Sequence, residues 1–212
     1  MTTIDTATVV SLRGVDVRIG ATVALAPLDL DVEPGEVLVV HGRSGSGKST
    51  LLAVLAGWLA PSVGAVARGG LLACDHRRWH RTATVPQSLA LLEELSLGEN
   101  VALPAVLLDH TWREARRLAG ERLDALGLGG LDERLPREVS LGQQQRASLA
   151  RALVLEPALV LADEPTAHLD TASTRLVVDE LRRAAAGGSA VVVATHDPLV
   201  MRAADRLVGI SR

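Results

Sequence analysis

Short apolar runs separated by turn residues open this 212-residue chain. Residues 9–19 and 23–32 are rich in apolar and β-branched side chains, and the sequence EPGE follows at 33–36, which predicts two strands and a tight turn. Residues 37–40 are entirely apolar, which is typical of a strand buried in a parallel sheet. The chain therefore begins with β structure and enters a buried sheet near residue 37.

Helical patterns then alternate with further apolar runs. Residues 49–59 predict a helix that stops near Pro61, residues 64–86 predict short strands, and residues 97–126 predict helices interrupted near Pro104 and at 109–110. Further helices are predicted at 140–155 and 170–186, and further buried strands at 158–162 and 190–195. We therefore expect an α/β fold, with a mainly parallel sheet and helices on both faces.

Composition narrows the possible partners. Phe and Tyr are absent and only three Trp occur, so we expect a core of Ala, Val and Leu. The net charge of -3 gives no general electrostatic footprint for nucleic acid, and we expect no nucleic-acid partner. The one basic cluster with an aromatic inside it, at 75–81, is interpreted as a solvated surface loop rather than a phosphate-binding surface.

The number of cysteines and the length of the apolar runs indicate the cellular compartment. Cys74 is the only cysteine, so no intrachain disulfide can form, and we expect it to be a small core residue in a reducing cytosol. No uncharged apolar run reaches the roughly 20 residues that span a bilayer, and the N-terminus has no signal-peptide pattern. We expect a cytoplasmic chain that reaches the inner face of the membrane only through a partner.

A glycine-rich segment after the apolar run at 37–40 is the first candidate binding site along the chain. It is a complete phosphate-binding loop, in which backbone N–H groups and the start of the next helix converge on an anion. Its lysine is the only one in a chain with 21 arginines; it supplies a compact charge, and the serine after it is placed to ligate Mg²⁺. The loop residues are Gly42, Arg43, Ser44, Gly45, Ser46, Gly47, Lys48 and Ser49, followed by Thr50.

Acidic residues follow the apolar run at 158–162, where open α/β sheets bind their ligands. Adjacent strand residues point in opposite directions, so we expect Asp163 to serve the Mg²⁺ shell and Glu164 to orient and deprotonate an attacking water. His196 follows the strand at 190–195 at the same edge and could sense the γ-phosphate and hold that water. Gln87, by position alone, is a loop residue after the strand end at 84–86.

Several stretches together resemble the ATPase subunit of an ATP-binding cassette (ABC) transporter, from about residue 9 to 210. The signature motif of that family appears as VSLGQ at 139–143, the Walker B strand as LVLADEPT at 159–166, and the D-loop as AHLD at 167–170. Gln87 resembles the Q-loop residue and THD at 195–197 the H-loop. Short stretches at 99–104, 161–166 and 195–198 look most like the lipoprotein-release and macrolide-export group.

The resemblance implies a P-loop NTPase fold: one domain over residues 1–212, with a parallel sheet core, an N-terminal antiparallel β lobe and a helical lobe at about 88–155. It implies a head-to-tail dimer that binds ATP and Mg²⁺ and drives permease subunits carried on separate chains. Gln87 would contact the nucleotide and its Mg²⁺ and transmit motion to the permease. Ser140 and the Gly142 N–H of one subunit would complete the γ-phosphate site of its partner ATPase, which is either identical or different. Gln143 and Asp170 are further expected nucleotide-binding residues.

Two positions depart from the family pattern. Leu141 replaces the first glycine of the signature, and if that position needs a positive φ or close backbone approach, a β-carbon there weakens activation in trans. Ile19 stands where the family has an aromatic that stacks on adenine, so we expect apolar contact without stacking, weaker nucleotide affinity and poor discrimination between ATP and GTP.

An alternative from another class is a non-transporting cassette ATPase that acts as a mechanical switch on a membrane protein, as in cell-division complexes. The sequence does not distinguish this alternative from a transporter subunit. The number of membrane spans in a copurifying membrane protein would distinguish the two. A chromosome-maintenance ATPase is disfavoured because the long coiled coil of that class is absent, and the signature helix and Glu164 argue against a small-molecule kinase.

Overall fold

The computed structural model describes residues 8–69 and 81–211. The predictions for Cys74 and for all of the basic cluster except Arg81 lie outside the described residues.

Strands and helices alternate along most of the described chain. The strands are β1 (Val10–Ile19), β2 (Thr22–Val32), β3 (Val37–His41), β4 (Val63–Arg68), β5 (Thr82–Val85), β6 (Leu159–Asp163), β7 (Ala190–Ala194) and β8 (Arg206–Gly209). The helices are α1 (Lys48–Ala56), α2 (Leu97–Val106), α3 (Trp112–Ala125), α4 (Leu141–Leu153), α5 (Thr171–Ala186) and α6 (Pro198–Arg202), with a 3-10 turn at Pro136–Glu138.

Two sheets organise these strands. An antiparallel sheet has the order β2-β1-β4, and a five-stranded sheet has the order β5-β6-β7-β3-β8, in which every pairing is parallel. The carboxyl ends of β3, β6 and β7 are neighbours at one edge of the parallel sheet. This edge is where open α/β folds bind ligands.

The parallel sheet is covered on both faces because alternate residues of each strand point in opposite directions. Val37 and Val39 belong to a core that includes the apolar sides of α2, α3, α4 and α5. Leu38 and Val40 belong to a second core, with α1 and the antiparallel sheet. Parallel strands buried on both faces explain the uninterrupted apolar runs in the sequence.

The structure departs from the predicted helix boundaries at Pro104. The sequence predicts an interruption there, but Pro104 lies inside α2, which continues to Val106. Proline weakens a helix by removing one N–H and crowding the preceding turn, yet α2 keeps a fully buried face and starts with a capping box from Ser96 and Glu99. Tertiary burial therefore overrides the local penalty, and the interruption falls later, before α3 begins at Trp112.

No helix among the described ranges is both long and apolar enough to cross a membrane.

Candidate active site

A cavity of about 800 Å³ lies at the carboxyl edge of the parallel sheet. It brings together most of the residues that the sequence singled out for nucleotide and metal binding. Its lining is Ile19, Thr22, Ala24, Gly42, Arg43, Ser44, Gly45, Gly47, Lys48, Ser49, Thr50, Gln87, Asp163, Glu164 and His196.

The glycine-rich loop forms one wall of this cavity, between β3 and α1. Gly45 and Gly47 have φ values of 77° and 105°, which favour glycine. A β-carbon on Gly47 would lie 2.5 Å from the carbonyl oxygen of Ala24, so only glycine fits. Ser46 is the loop residue that the cavity leaves out: it is buried, and its hydroxyl has no hydrogen-bond partner among the described residues.

Lys48 is the first residue of α1, and its side chain folds back over the loop. Its ammonium group donates to the carbonyl oxygens of Gly42 at 2.9 Å and Arg43 at 3.3 Å. The first turn of α1 begins at this lysine, and its backbone N–H groups favour an anion. A compact charge and a helix N-terminus therefore converge, as phosphate binding requires.

Ser49 and Asp163 meet beside the loop. The Ser49 hydroxyl donates to Asp163 Oδ2 at 2.6 Å, joining the start of α1 to the end of β6. No group of three or more His, Cys, Asp or Glu side chains among residues 8–69 and 81–211 could hold a metal alone. One hydroxyl with one carboxylate nevertheless fits Mg²⁺, which is bound by few protein oxygens and completes its shell with phosphate and water.

Glu164 lies just after the end of β6, where the chain turns. Its φ is 47°, in the left-handed region that favours glycine, and its N–H donates to the carbonyl oxygen of Ala194 at 2.8 Å. The sequence predicted Asp163 and Glu164 on opposite faces of a strand, whereas both line the same cavity because the chain turns between them. They still have different partners, because Asp163 contacts Ser49 and Glu164 contacts the segment after β7.

The Glu164 carboxylate is held at both oxygens. Thr195 donates its hydroxyl hydrogen bond to Oε2 at 2.8 Å, and His196 Nδ1 lies 2.9 Å from Oε1. The imidazole side chain is 86% exposed, whereas the Glu164 side chain is 18% exposed. A carboxylate, an imidazole and a hydroxyl thus form one chain of contacts at the cavity wall.

Gln87 connects this cavity with a smaller one of about 310 Å³, because it lines both. The loop after Gln87 includes Leu89 and Ala90, both with positive φ. Arg151 of α4 donates to the carbonyl oxygens of Ala90 at 2.6 Å and Leu89 at 3.2 Å, and Ser148 donates to that of Leu89 at 2.8 Å. Side chains of α4 therefore fasten the Gln87 loop.

The signature stretch lies apart from the loop cavity. Ser140 and Gln143 form a reciprocal capping box at the start of α4, with Gln143 Oε1 accepting from the Ser140 N–H at 2.7 Å. Gly142 packs closely against the segment between β6 and α5, since a β-carbon on it would lie 3.1 Å from the Leu169 side chain. Asp170 caps α5 by accepting from the Ser173 N–H at 2.7 Å.

Leu141 does not have the strained backbone that the sequence raised as a possibility. It is the first residue of α4, its φ is not positive, and its side chain is 47% exposed on the wall of the smaller cavity. The positive-φ condition for weak activation is therefore not met, because a helical first position accepts a β-carbon freely, and the effect of Leu141 on activation in trans stays a prediction. Ile19, at the end of β1, is 63% exposed and lines the loop cavity without an aromatic ring.

Residues 25–167 match the family described as ABC transporter, which is more than half of the chain. The chain belongs to the ABC transporter family. Its phosphate loop, Gln87, the signature stretch and the Walker B carboxylates all fall within the matched region.

Curated relatives are ABC transporter ATP-binding proteins. An uncharacterised ABC transporter ATP-binding protein of Mycobacterium tuberculosis is 40% identical over 193 residues, which are 87% of this chain and 58% of that protein. The chain thus spans less than two thirds of the length of that relative. The lipoprotein-releasing system ATP-binding protein LolD of Bordetella pertussis is 40% identical over 190 residues, which are 86% of this chain and 82% of LolD.

Solved ABC cassettes share the fold. A dimeric post-hydrolysis structure of the ATP-binding cassette MJ0796 bound to ADP and Pi has a TM-score of 0.86 at 31% identity, over 95% of this chain and 94% of that one. A second dimeric structure of the same bacterial ABC transporter cassette has a TM-score of 0.86 at 30% identity, with the same coverage. The predicted ABC ATPase fold, with its parallel core and antiparallel sheet, is confirmed.

Sequence reasoning missed one contact at the centre of this ABC site. Thr195 was included only as the first letter of the H-loop stretch, yet its side chain is the one that holds Glu164 Oε2. Thr195 and Glu164 are 31 positions apart and meet because β6 and β7 are neighbours. The only available signal was the shared sheet edge, which does not reveal side-chain partners.

Proposed function

We propose that this chain is the ATP-binding and ATP-hydrolysing subunit of an ABC transporter, which drives permease movement through ATP-dependent dimerisation. One observation carries the proposal: the phosphate loop, the Ser49–Asp163 oxygen pair and the Glu164–His196 contact all line a single cavity. In this proposal, the residues that bind nucleotide, hold Mg²⁺ and activate water all lie at one edge of the parallel sheet.

In this proposal the loop residues 42–50 bind the triphosphate of ATP. Backbone N–H groups and the N-terminus of α1 face the phosphate oxygens, and Lys48 neutralises the β and γ phosphates. Ser49, Asp163 and Gln87 would hold Mg²⁺, which would supply positive charge to neutralise the phosphates. Ile19 would contact the base by apolar packing alone.

Glu164 is the proposed general base. It would accept a proton from the attacking water, while His196 leaves its contact with Glu164 to hold the γ-phosphate. The 86% exposure of the imidazole supports this role, because an exposed side chain can reorient without breaking a packed core. Lys48 would stabilise the charge on the transferring phosphoryl group.

Completion of the site by a second ATPase subunit is part of the proposal. Ser140, Gly142, Gln143 and Asp170 do not line the loop cavity, and in this proposal they bind the nucleotide that lies in the loop cavity of the partner subunit. The two solved cassettes that this chain resembles are dimeric, which supports a dimer of this chain. In the proposed dimer, α4 of one subunit faces the phosphate loop of the other. The N-terminus of α4 would then supply a second anion-binding end.

We propose that residues 1–212 act as one cassette domain, with α2, α3 and α4 as its helical lobe. The chain would lie at the inner face of the membrane by binding permease subunits on separate chains. The similarity to LolD favours a cargo of the lipoprotein-release type, and it favours a transporter over the cell-division type of switch. Copurification with a polytopic permease tests the partner, and recovery of a protein with few spans instead would favour the switch.

Glu164→Gln tests the catalytic assignment. The amide keeps the size of the side chain but cannot accept the proton, so we expect unchanged ATP binding, loss of phosphate release and an ATP-dependent dimer in size-exclusion chromatography with light scattering. Glu156→Gln is the matched control, because Glu156 has an 81% exposed side chain outside the cavity. A Glu164→Gln protein that hydrolyses ATP at the normal rate would overturn Glu164 as the base.

A further inference from the structure

Thr195 is the least exposed member of the contacts around Glu164. Its relative exposure is 0%, whereas the neighbouring imidazole of His196 is almost fully exposed. The Thr195 N–H donates to the carbonyl oxygen of Val40 at 3.2 Å, which ties this residue to the edge of β3. Thr195 is thus held in place by burial and a backbone hydrogen bond, whereas little of the His196 side chain is packed against the protein.

The direction of the Thr195 hydroxyl is set by its second partner. Thr195 Oγ1 accepts from the Asp197 N–H at 3.1 Å, so the hydroxyl uses a lone pair there and directs its own proton to Glu164 Oε2. Asp197 is itself fixed, because its Oδ1 caps α6 by accepting from the Leu199 N–H at 2.8 Å. The donor that faces Glu164 is therefore preorganised before any nucleotide binds.

Glu164 needs such a donor. Its backbone has turned out of β6, and a glutamate side chain has three rotatable bonds, so hydrogen bonds are needed to fix the direction of its two oxygens. With Oε2 held by Thr195, the other oxygen, Oε1, is directed to the position of the His196 ring. If His196 turns towards phosphate, as the proposed function requires, Oε1 is the oxygen that loses its partner.

We propose that Thr195 is a positioning residue for ATP hydrolysis, whose buried hydroxyl orients the Glu164 carboxylate so that Oε1 faces the attacking water. This inference rests on the proposed function, in which Glu164 is the base. In the step, the water oxygen forms a bond to the γ-phosphorus, the bond to the bridging oxygen breaks, and ADP leaves with that electron pair. The proton released by the water goes to Oε1, and Thr195 keeps its own proton throughout.

Thr195→Val is the first test, because valine keeps the shape and removes the hydroxyl. We expect kcat to fall about tenfold or more, from the loss of orientation, while KM for ATP and the ATP dissociation constant stay within about twofold. Thr195→Ser keeps the donor and should restore kcat to within about threefold of the unsubstituted chain. Thr174→Val is the matched control, since Thr174 is a buried threonine of α5 outside the cavity and its loss should leave kcat unchanged.

A double variant separates positioning from a structural effect. If Thr195 acts through Glu164, then Thr195→Val should cause no further loss in the Glu164→Gln background, because the group it orients is already ineffective. A structural role would lower the residual rate, or ATP binding, by a similar factor in both backgrounds. Thr195→Cys, with a weak donor of similar size, replaces Thr195→Val if valine prevents folding, and it should also lower kcat.

Three outcomes would overturn the role of Thr195: a kcat of Thr195→Val within twofold of normal, equal losses in both backgrounds, or failure of Thr195→Ser to restore the rate. Each of these results is compared with the turnover of the Glu164→Gln single variant. Normal turnover of Glu164→Gln removes the base assignment itself, and with it the proposed function of this site. Loss of turnover in Glu164→Gln together with normal turnover in Thr195→Val removes only the inference about Thr195.

Discussion

The Ser49 hydroxyl donates a hydrogen bond to the Asp163 carboxylate at 2.6 Å, although the two residues are 114 positions apart. The contact joins the first turn of α1 to the end of β6 and places two oxygens side by side at the cavity wall. Such a pair matches the few protein ligands that Mg²⁺ takes beside phosphate.

Loss of either the Ser49 hydroxyl or the negative charge of Asp163 should raise the Mg²⁺ requirement. We expect Ser49→Ala and Asp163→Asn each to increase, by about tenfold or more, the Mg²⁺ concentration that gives half-maximal ATP hydrolysis, with the larger effect for the carboxylate. Phosphate release measured across a Mg²⁺ titration gives this value. Asp109→Asn, which removes the same charge in the turn before α3, should leave it unchanged; an unchanged requirement in both site variants would contradict the metal assignment.

Lys48 should not tolerate arginine, although the charge is the same. Its ammonium group donates to two carbonyl oxygens of its own loop, within a space shaped by glycines, and a planar guanidinium cannot reproduce that compact geometry. We expect Lys48→Arg to weaken ATP binding by at least about tenfold in titration calorimetry. Arg117→Lys, on the exposed side of α3, is the control, and normal ATP affinity in Lys48→Arg would show that charge alone suffices.

Two carboxylates around Arg122 should differ in their contribution to stability. Glu180 is 1% exposed and contacts Arg122 and Arg183, whereas Glu156 is 81% exposed and accepts from the same Arg122 at 2.7 Å. We expect Glu180→Gln to lower the free energy of unfolding by roughly 2 to 4 kcal/mol, because two guanidinium groups lose their buried partner.

The matched change Glu156→Gln should cost less than about 1 kcal/mol, as exposed ion pairs do. Urea unfolding of the two variants provides the comparison. Equal losses would mean that burial does not decide the strength of this cluster, which joins α3 of the helical region to α5.

Asp205 should make stability depend on pH. Its carboxylate accepts from Arg182 at 2.7 Å and from the Val37 N–H at 2.8 Å, and these contacts, led by the Arg182 hydrogen bond, hold its pKa below the ordinary value. A lowered pKa means that the stabilisation is complete above the ordinary carboxyl pKa of about 4 and is lost as the pH falls through the lower folded value.

We therefore expect Asp205→Ala to be less stable than the unsubstituted chain by roughly 1 kcal/mol at pH 7, a modest value because the side chain is 43% exposed. The difference should shrink as the pH is lowered below about 4. Urea titrations over that pH range measure it. A gap that widens in acid would contradict the assignment.

The sequence predicted the elements that repeat a strong pattern and missed those that depend on partners. The apolar runs of β3, β6 and β7 were predicted because strands buried on both faces leave little room for polar residues. No strand was predicted at β8, because Arg206–Gly209 is short and half exposed, and it becomes a strand by pairing with β3.

The site shows the same difference between features that follow from a local sequence pattern and features that depend on distant partners. Motif spacing was enough to place Lys48, Ser49 and Asp163 at one cavity, since the phosphate loop and the end of β6 belong to regular elements. The turn at Glu164 could not be predicted, because nothing local in a glutamate favours a positive φ. The contact from Thr195 likewise depends on the pairing of two strands rather than on any local pattern.

The left-handed backbone of Glu164 has a consequence for how this protein can evolve. A side chain in this conformation costs about 1 kcal/mol or more relative to glycine, so the residue proposed to do the chemistry is also one that weakens the fold. Glycine at this position would relieve the backbone but would also leave the buried Thr195 hydroxyl without its carboxylate partner. The contacts that orient the proposed base therefore also offset the cost of its backbone conformation, so that activity and stability depend on the same side chain.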